Sequence, residues 1–357
     1  MRPVFIIHSD ALSPGRSATG ATVVEVMIGM ALGMIVVAAL GAVFASSINT
    51  RNEIERAGQQ IESGRYALEL LRDEIHQAGH FNGYTAGARQ VVAACIPRAG
   101  VPLSAVNLGW QTSPVQAPLA IYGYAGADLP ASETCLSNQK PNTDALILRR
   151  VESSTITVAE ATAATHANDY FMQTSACANS SVDTAGQPFV IASGGGSATA
   201  SFTLHEKDCA TSAPLRRLVI RAYYVGKCGV CSGSGDGIPS LRMAELSGAV
   251  ATSVSLVEGI ESMRVEYSLD SDHDGQIDAV RRCKSGIDPC TAADWASVVA
   301  VQVRLLARNL SPSAGYRDTK TYDMGLAGTI PAPNDAYKRH LYGAQILAFN
   351  LAGLHEP

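Results

Sequence analysis

Residues 20–29 read GATVVEVMIG, and one carboxylate, Glu25, stands near the start of an otherwise uncharged apolar run. From Val26 to Thr50 there is no Asp, Glu, Lys, Arg or His. Taken as helix, the segment Ala21–Ser46 is about 39 Å long at ~1.5 Å per residue, enough to span the ~30 Å hydrocarbon core of a bilayer. An ordinary secretory signal carries its apolar core before the cleavage point. Here the core follows Gly20, so cleavage after Gly20 leaves it on the mature chain. Arg16 precedes the run and the bulk of the chain follows it, which places the N-terminus in the cytoplasm.

An acid in such a segment is costly and points to a function. The alternative is an acid tolerated at headgroup level, close to the helix end. Cleavage after Gly20 would create a partner for Glu25. The new amine of Ala21 lies one helical turn away, or on a neighbouring subunit, and pairing would neutralise both charges. Gly29 and Gly33 form a small-xxx-small pair, with Gly41 further on, and this reads either as a helix-packing face or as ordinary membrane-helix glycine usage.

The segment resembles the signature of type IV prepilins: a leader ending in Gly, then an apolar residue, Thr, two apolar residues and Glu, then an apolar helix. The matching residues are Gly20, Ala21, Thr22, Val23, Val24 and Glu25, followed by Val26, Met27 and Ile28. Ala21 stands where Phe is usual. The resemblance implies cutting between Gly20 and Ala21 by prepilin peptidase, methylation of Ala21, and a role for Glu25 in docking into a growing filament.

Residues 51–78 continue as a charged helix with a narrow apolar stripe. Ile54, Ile61, Leu68 and Ile75 recur every seven residues, and Ala57, Gly64, Leu71 and Ala78 follow each by three. The half with Leu68, Leu71 and Ile75 is expected to pack on the protein's own domain. The half with Ala57, Gly58 and Gly64 is small-sided and suits contact with other subunits. Gly79 is the expected stop.

The remainder reads as strands separated by Gly, Pro, Asp and Ser. The expected strands are 145–151, 154–158, 189–192, 201–204, 218–225, 263–269, 298–306 and 345–350. The expected fold is α+β and pilin-like: a long N-terminal helix, then a large, mostly antiparallel β domain. The expected division is a leader at 1–20, a membrane or filament-core helix at 21–46, an amphipathic helix at 47–79, and a disulfide-bearing, periplasmic β-rich domain at 80–357.

Residues 256–282, LVEGIESMRVEYSLDSDHDGQIDAVRR, are the most informative part of the body. Leu256–Glu261 reads as a turn or short helix leading into a strand. Asp270, Asp272, Asp274, Gln276 and Asp278, with Gly275, then fit positions of an oxygen-rich loop for a hard cation such as Ca²⁺. Arg281 occupies the position where an EF-hand places its bidentate acid, so a further ligand must come from elsewhere. The alternative is an acidic Asx-turn hairpin loop. His273 is expected to face solvent. Together with Trp295 and the strand from Val298 to Leu306, this order of turn, strand, Asp-rich loop and strand resembles the PilW family of minor pilins. The stretch ALELLRDEIHQAGHFNGY at 67–84 resembles that family's post-membrane helix and exit.

There are eight cysteines: Cys95, Cys135, Cys177, Cys209, Cys228, Cys231, Cys283 and Cys290. An exported chain with an even count is expected to form disulfides, and the sequence leaves the pairing open. Cys283 and Cys290 flank a short loop and are placed to staple it. Cys228-Gly229-Val230-Cys231 has three readings: a loop disulfide, half of a zinc site with His205 and Cys209, or a redox pair.

A net charge of -5 with 17% charged residues gives no basic field for duplex nucleic acid. The arginine pairs Arg149-Arg150, Arg216-Arg217 and Arg281-Arg282 would form a local patch only if they converge. No P-loop, GxSxG or HExxH is present, so no catalytic residue is assigned. The family resemblance implies a minor pilin that primes pilus assembly. Its implied partners are other minor pilins, the major pilin, a PilY-type tip protein and the inner-membrane assembly platform. It would be a single-pass protein of the inner membrane before assembly and part of the extracellular pilus afterwards. The competing readings are a J-type pseudopilin of type II secretion, a pilus-tip adhesin or binding module, and, last, an anchored enzyme.

Overall fold

The computed structural model describes residue 20 and residues 22–84, 95, 105–112, 115–126, 128–130, 133–179, 182–183, 188–247 and 250–353. Two compact units divide the chain, Met1–Glu55 and Arg56–Pro357. One helix, α1, runs from Val23 to Gln77. The strands that follow are β1 (Gln111–Thr112), β2 (Val115–Gln116), β3 (Ile121–Tyr124), β4 (Ala145–Val151), β5 (Tyr170–Thr174), β6 (Phe189–Ser193), β7 (Leu215–Gly226), β8 (Ser240–Ser247), β9 (Val250–Glu258), β10 (Ile260–Leu269), β11 (Ala279–Arg281), β12 (Val298–Arg308), β13 (Tyr322–Asp323), β14 (Thr329–Ile330) and β15 (Arg339–Leu347). All their pairings are antiparallel. One larger sheet has the order β11-β10-β12-β15. The other has β3-β4-β7-β5-β6, with β8 on β7 and β9 on β8. The chain is therefore a long N-terminal helix followed by a mostly antiparallel sheet domain.

The core of the second unit forms where alternation along the strands meets one face of α1. Met263, Val265 and Tyr267 of β10 and Val301, Val303 and Leu305 of β12 point inward and are buried. Their neighbours Arg264, Gln302 and Arg304 lie on the other face, as a period of two requires. Ala67, Leu71 and Ile75 of α1 are fully buried in the same cluster as Tyr122 and Ile147 of the larger sheet. Gln60 Nε2 donates to the carbonyls of Ala307 (2.8 Å) and Lys338 (3.0 Å), tying this helical stretch to the ends of β12 and β15.

The buried helix face differs from the expected stripe. Ile54 and Ile61 are exposed, and the buried series is Gln60, Gly64, Ala67, Leu71 and Ile75. These positions follow the 3.6-residue turn of a straight helix, whereas a strict heptad drifts off one face. Gly64 faces the protein's own strand β15, where a side-chain carbon would collide with the Tyr342 ring. It is thus not part of a free small-sided face. α1 ends at Gln77, Gly79 follows with a left-handed φ of +80°, and the Asn350 side chain donates to the carbonyls of His76, Gln77 and Ala78.

Three strand expectations need correction. Within 154–158 only Ile156 bridges to Leu215, and the chain then turns into a short helix, Val158–Ala161. A reciprocal Thr157–Glu160 capping box starts that helix. Residues 201–204 follow the helix Ala198–Ser201, and Phe202 and Leu204 bury their side chains without joining a strand. β15 stops at Leu347, and Phe349–Ala352 is helical. Within Leu256–Glu261 the expected turn is the single residue Gly259, at φ +82°, with β9 and β10 running up to it on either side and no helix between them. A Cβ there would lie 2.7 Å from the Arg308 carbonyl, so the corner needs glycine.

Buried charges join the pieces. Asp144, at the foot of β4, accepts from Val265 N (2.9 Å), Gly126 N (2.8 Å), Arg264 (3.1 Å) and Arg282 (2.7 Å). Arg339 is buried and contacts Glu261 (2.5 Å), Asp318 (3.1 Å) and Asp335 (2.7 Å). Burial pushes the Glu261 carboxyl up, but the Arg339 hydrogen bond and the Lys140 and Arg339 charges outweigh it and hold the group below its ordinary value. A depressed carboxylate gives stability that is complete above its unfolded value, about 4.3 for Glu, and lost as pH falls through the folded one. Urea unfolding is therefore expected to weaken below about pH 4.3, and Glu261→Gln to flatten that acid limb while lowering stability at neutral pH.

Candidate functional site

Two features of the chain are candidates for function, the N-terminal end of α1 and the loop between β10 and β11. At the first, Thr22 and Glu25 cap the helix reciprocally. Thr22 N and Oγ1 donate to Glu25 Oε2 (3.3 and 3.5 Å), and Glu25 N donates to Thr22 Oγ1 (3.3 Å). Here Glu25 is the third residue after the cap, so it satisfies free N–H groups and faces the positive end of the helix dipole. The sequence carries this signal in Thr-x-x-Glu, and the reading of Glu25 as a membrane acid alone missed it. Gly20 is exposed and non-helical. Ala21 and residues 1–19 lie outside the described residues.

From Val23 to Ile48 the large apolar side chains of α1 are exposed. The helix is long and apolar enough to cross a membrane by length and composition. An unbroken apolar surface of this kind needs lipid or other protein to cover it. Nothing lies within 4 Å of where a Cβ at Gly29, Gly33 or Gly41 would stand.

The acidic loop is built around Asp270, which is fully buried. Its Oδ1 accepts from the N–H groups of His273 (2.8 Å) and Asp274 (3.2 Å), and its Oδ2 from Gly275 (3.0 Å). His273 and Gly275 have φ of 63° and 84°, which turn the chain around the carboxylate. Ligand oxygens of Asp270, Asp272 and Asp278 lie within 4.8 Å of one another. Asp274 does not join that group. Asp274 instead accepts from Gln276 N (2.8 Å) and Nε2 (3.1 Å). Asp278 also accepts from Ser271 N (2.6 Å). Three carboxylates around one point can take a hard cation, although backbone N–H groups already use several of their lone pairs. Arg281 binds Asp288 (2.6 Å) and Asp294 (3.2 Å), tying the loop to the next turn and to the helix Ala292–Ala296.

The cysteines pair as Cys95–Cys135, Cys177–Cys209, Cys228–Cys231 and Cys283–Cys290. The zinc set does not assemble, because Cys209 is bonded to Cys177 and His205 Nδ1 contacts Asp183 Oδ1 at 2.7 Å. Cys95, Glu133 and Cys135 also cluster, but both sulfurs are in the disulfide, and Glu133 accepts from Cys95 N and the Tyr124 hydroxyl. Ser175 and His205 share the carboxylate of Asp183. A serine nucleophile instead needs an imidazole on its own hydroxyl.

Two of the arginine pairs, Arg149-Arg150 and Arg216-Arg217, lie on the neighbouring strands β4 and β7, and acidic side chains and carbonyls take up their charges. Arg149 is buried against Tyr122, and Arg150 pairs with Glu74. Arg216 donates to the Glu152 carbonyl, and Arg217 pairs with Glu152 and Glu245. Arg282 goes to Asp144.

Residues 222–350 match the family model of PilW, Type IV Pilus-assembly protein W. The matched stretch is 129 of the chain's 357 residues. It begins inside β7 and takes in β8 to β15, and so contains the acidic loop and the whole four-stranded sheet. Among solved structures, the type IV-like pilin TTHA1219 from Thermus thermophilus aligns at 13% identity and a TM-score of 0.36, over 82% of this chain and 96% of that chain. No curated protein matches. The chain thus joins a stretch similar to a type IV pilus-assembly protein to a helix long and apolar enough to cross a membrane.

Replacing Asp270 by Ala leaves the three N–H groups it collects without their acceptor. The expected loss is about 2 kcal/mol in urea unfolding, whereas Asp272→Asn, at an exposed position, is expected to leave stability unchanged.

Proposed function

We propose that the chain is a minor pilin that helps start type IV pilus assembly as part of a priming or tip complex, and that it acts by packing rather than by catalysis. The observation that carries this reading is the exposed apolar length of α1, capped by Thr22 and Glu25 directly after Gly20. Such an apolar surface can pass from the bilayer to a filament core and stay covered in both. In this reading prepilin peptidase cuts after Gly20, the amine of Ala21 meets the carboxylate of Glu25 on a neighbouring subunit, and the β domain faces the periplasm. The partners are other minor pilins, the major pilin, a PilY-type tip protein and the inner-membrane platform. The PilW match over the β domain favours a pilus over a secretion pseudopilus.

The test is mass spectrometry of the N-terminal peptide of the membrane-associated protein. The expected peptide begins at Ala21, with or without one added methyl group. An intact leader, or a cut beyond the apolar run, would overturn the reading.

We propose further that the loop takes Ca²⁺ on Asp270, Asp272 and Asp278, supported by the convergence of their oxygens. A dissociation constant near the ~1 mM of extracellular modules predicts about 1.4 kcal/mol of added stability at about 10 mM Ca²⁺. Asp272→Asn combined with Asp278→Asn should abolish that gain, and a wild-type chain indifferent to Ca²⁺ would remove the ion from this account.

A further inference from the structure

Arg242, on β8, is buried, with 8% of its surface exposed. Among the described residues it has no carboxylate partner. Its Nη1 donates to the carbonyls of Cys228 (3.1 Å) and Gly229 (3.0 Å) and lies 3.6 Å from Cys231 Sγ. Its Nε donates to Ser253 Oγ (3.1 Å) and its Nη2 to the Ser253 carbonyl (3.4 Å). Arginine stays protonated in proteins, and buried charges are normally paired. The sulfur of Cys231 is the one atom in this set that becomes an anion, when the disulfide is reduced.

The loop around it is also held by hydrogen bonds. Ser240 Oγ donates to the Cys228 carbonyl (3.0 Å). Asp236 accepts from the N–H groups of Gly229 (3.1 Å), Val230 (2.7 Å) and Ile238 (3.0 Å). The bond itself closes a ring with a sequence separation of only three. Loop-closure stabilisation grows with ring size, so this disulfide constrains the unfolded chain less than the other three. Cys228 is buried and Cys231 is half-buried, so an external thiol meets Cys231 first.

We propose that Cys228–Cys231 is a reversible dithiol–disulfide couple in which Arg242 holds Cys231 as the thiolate, and that its reductant is a protein dithiol of the Cys-x-x-Cys class. A thiolate of that dithiol attacks Cys231 Sγ, the disulfide breaks, and Cys228 leaves and takes a proton. The second thiol of the reductant then attacks its partner in the mixed disulfide and releases Cys231 as a thiolate beside Arg242. Two electrons pass to the pair, the reductant ends as its own disulfide, and its second proton goes to solvent. The other charged groups near the loop are Asp236 and Glu258, which border Gly229, Arg308, which donates to the Gly237 carbonyl, and Lys227. Of the charged groups among the described residues, Arg242 alone contacts the Cys231 sulfur, which also lies 3.1 Å from the Cys228 carbonyl.

The experiment is a redox titration of the full-length protein with dithiothreitol, trapped by alkylation and read pair by pair in peptide mass spectra. Cys228–Cys231 should open at a less reducing potential than the other three pairs. In Cys228→Ser, the alkylation rate of Cys231 should titrate at least one unit below the ~8.5 of a free cysteine. Adding Arg242→Met should return that midpoint to the free-thiol value or above. A Cys228–Cys231 pair that opens with or after the others would overturn the proposal, as would a Cys231 that titrates like a free thiol in Cys228→Ser.

Discussion

The structure turns on the burial of Ala67, Leu71 and Ile75 of α1 among strands of both large sheets. The first unit offers its described apolar side chains no cover of their own, and the second unit needs this helical stretch to complete its core. One helix thus serves two solvents. Its N-terminal length is exposed and, from Val26 to Thr50, uncharged, and its C-terminal length is charged outside and apolar inside. The change takes place along α1, with no proline to break the helix.

Asp144 and Arg339 show how the sheet domain holds its parts in place. Each is a buried charge with several partners drawn from separate parts of the chain. Removing one member would leave the others desolvated and unpaired, which is far more damaging than the net worth of the pair. Such hubs specify which strand lies beside which, a matter that apolar surface alone leaves loose. Tyr122 adds a further case. It receives the buried Arg149 guanidinium, and burial pushes its phenol up to about 12.

The long helix and its stop at Gly79 were legible because period and glycine conformation are local signals. So was the β character of the chain, along with β4, β10 and β12, whose residues are dense in Val, Ile and Leu. β8 and β9 were not, because Ser, Thr and Glu alternate through them and pairing, not composition, makes them strands. The acidic loop was legible as a turn around carboxylates. Which of them converge was not, since Asp274 and Gln276 are equally well spaced but satisfy each other. Asp144 and Arg242 carry no sequence signal, because their roles arise from contacts 11 to 138 residues away.

The cysteine map has a consequence for how the chain matures. Every bond joins a cysteine to the next one in the sequence, so no bridge encloses or crosses another. A chain oxidised from its N-terminal end as it emerges on the far side of a membrane meets each partner in turn. Pairing in order of arrival is then the native pairing. The domain can close its bridges one after another without waiting for its last strand, and a donor of disulfides suffices where a corrector would otherwise be needed.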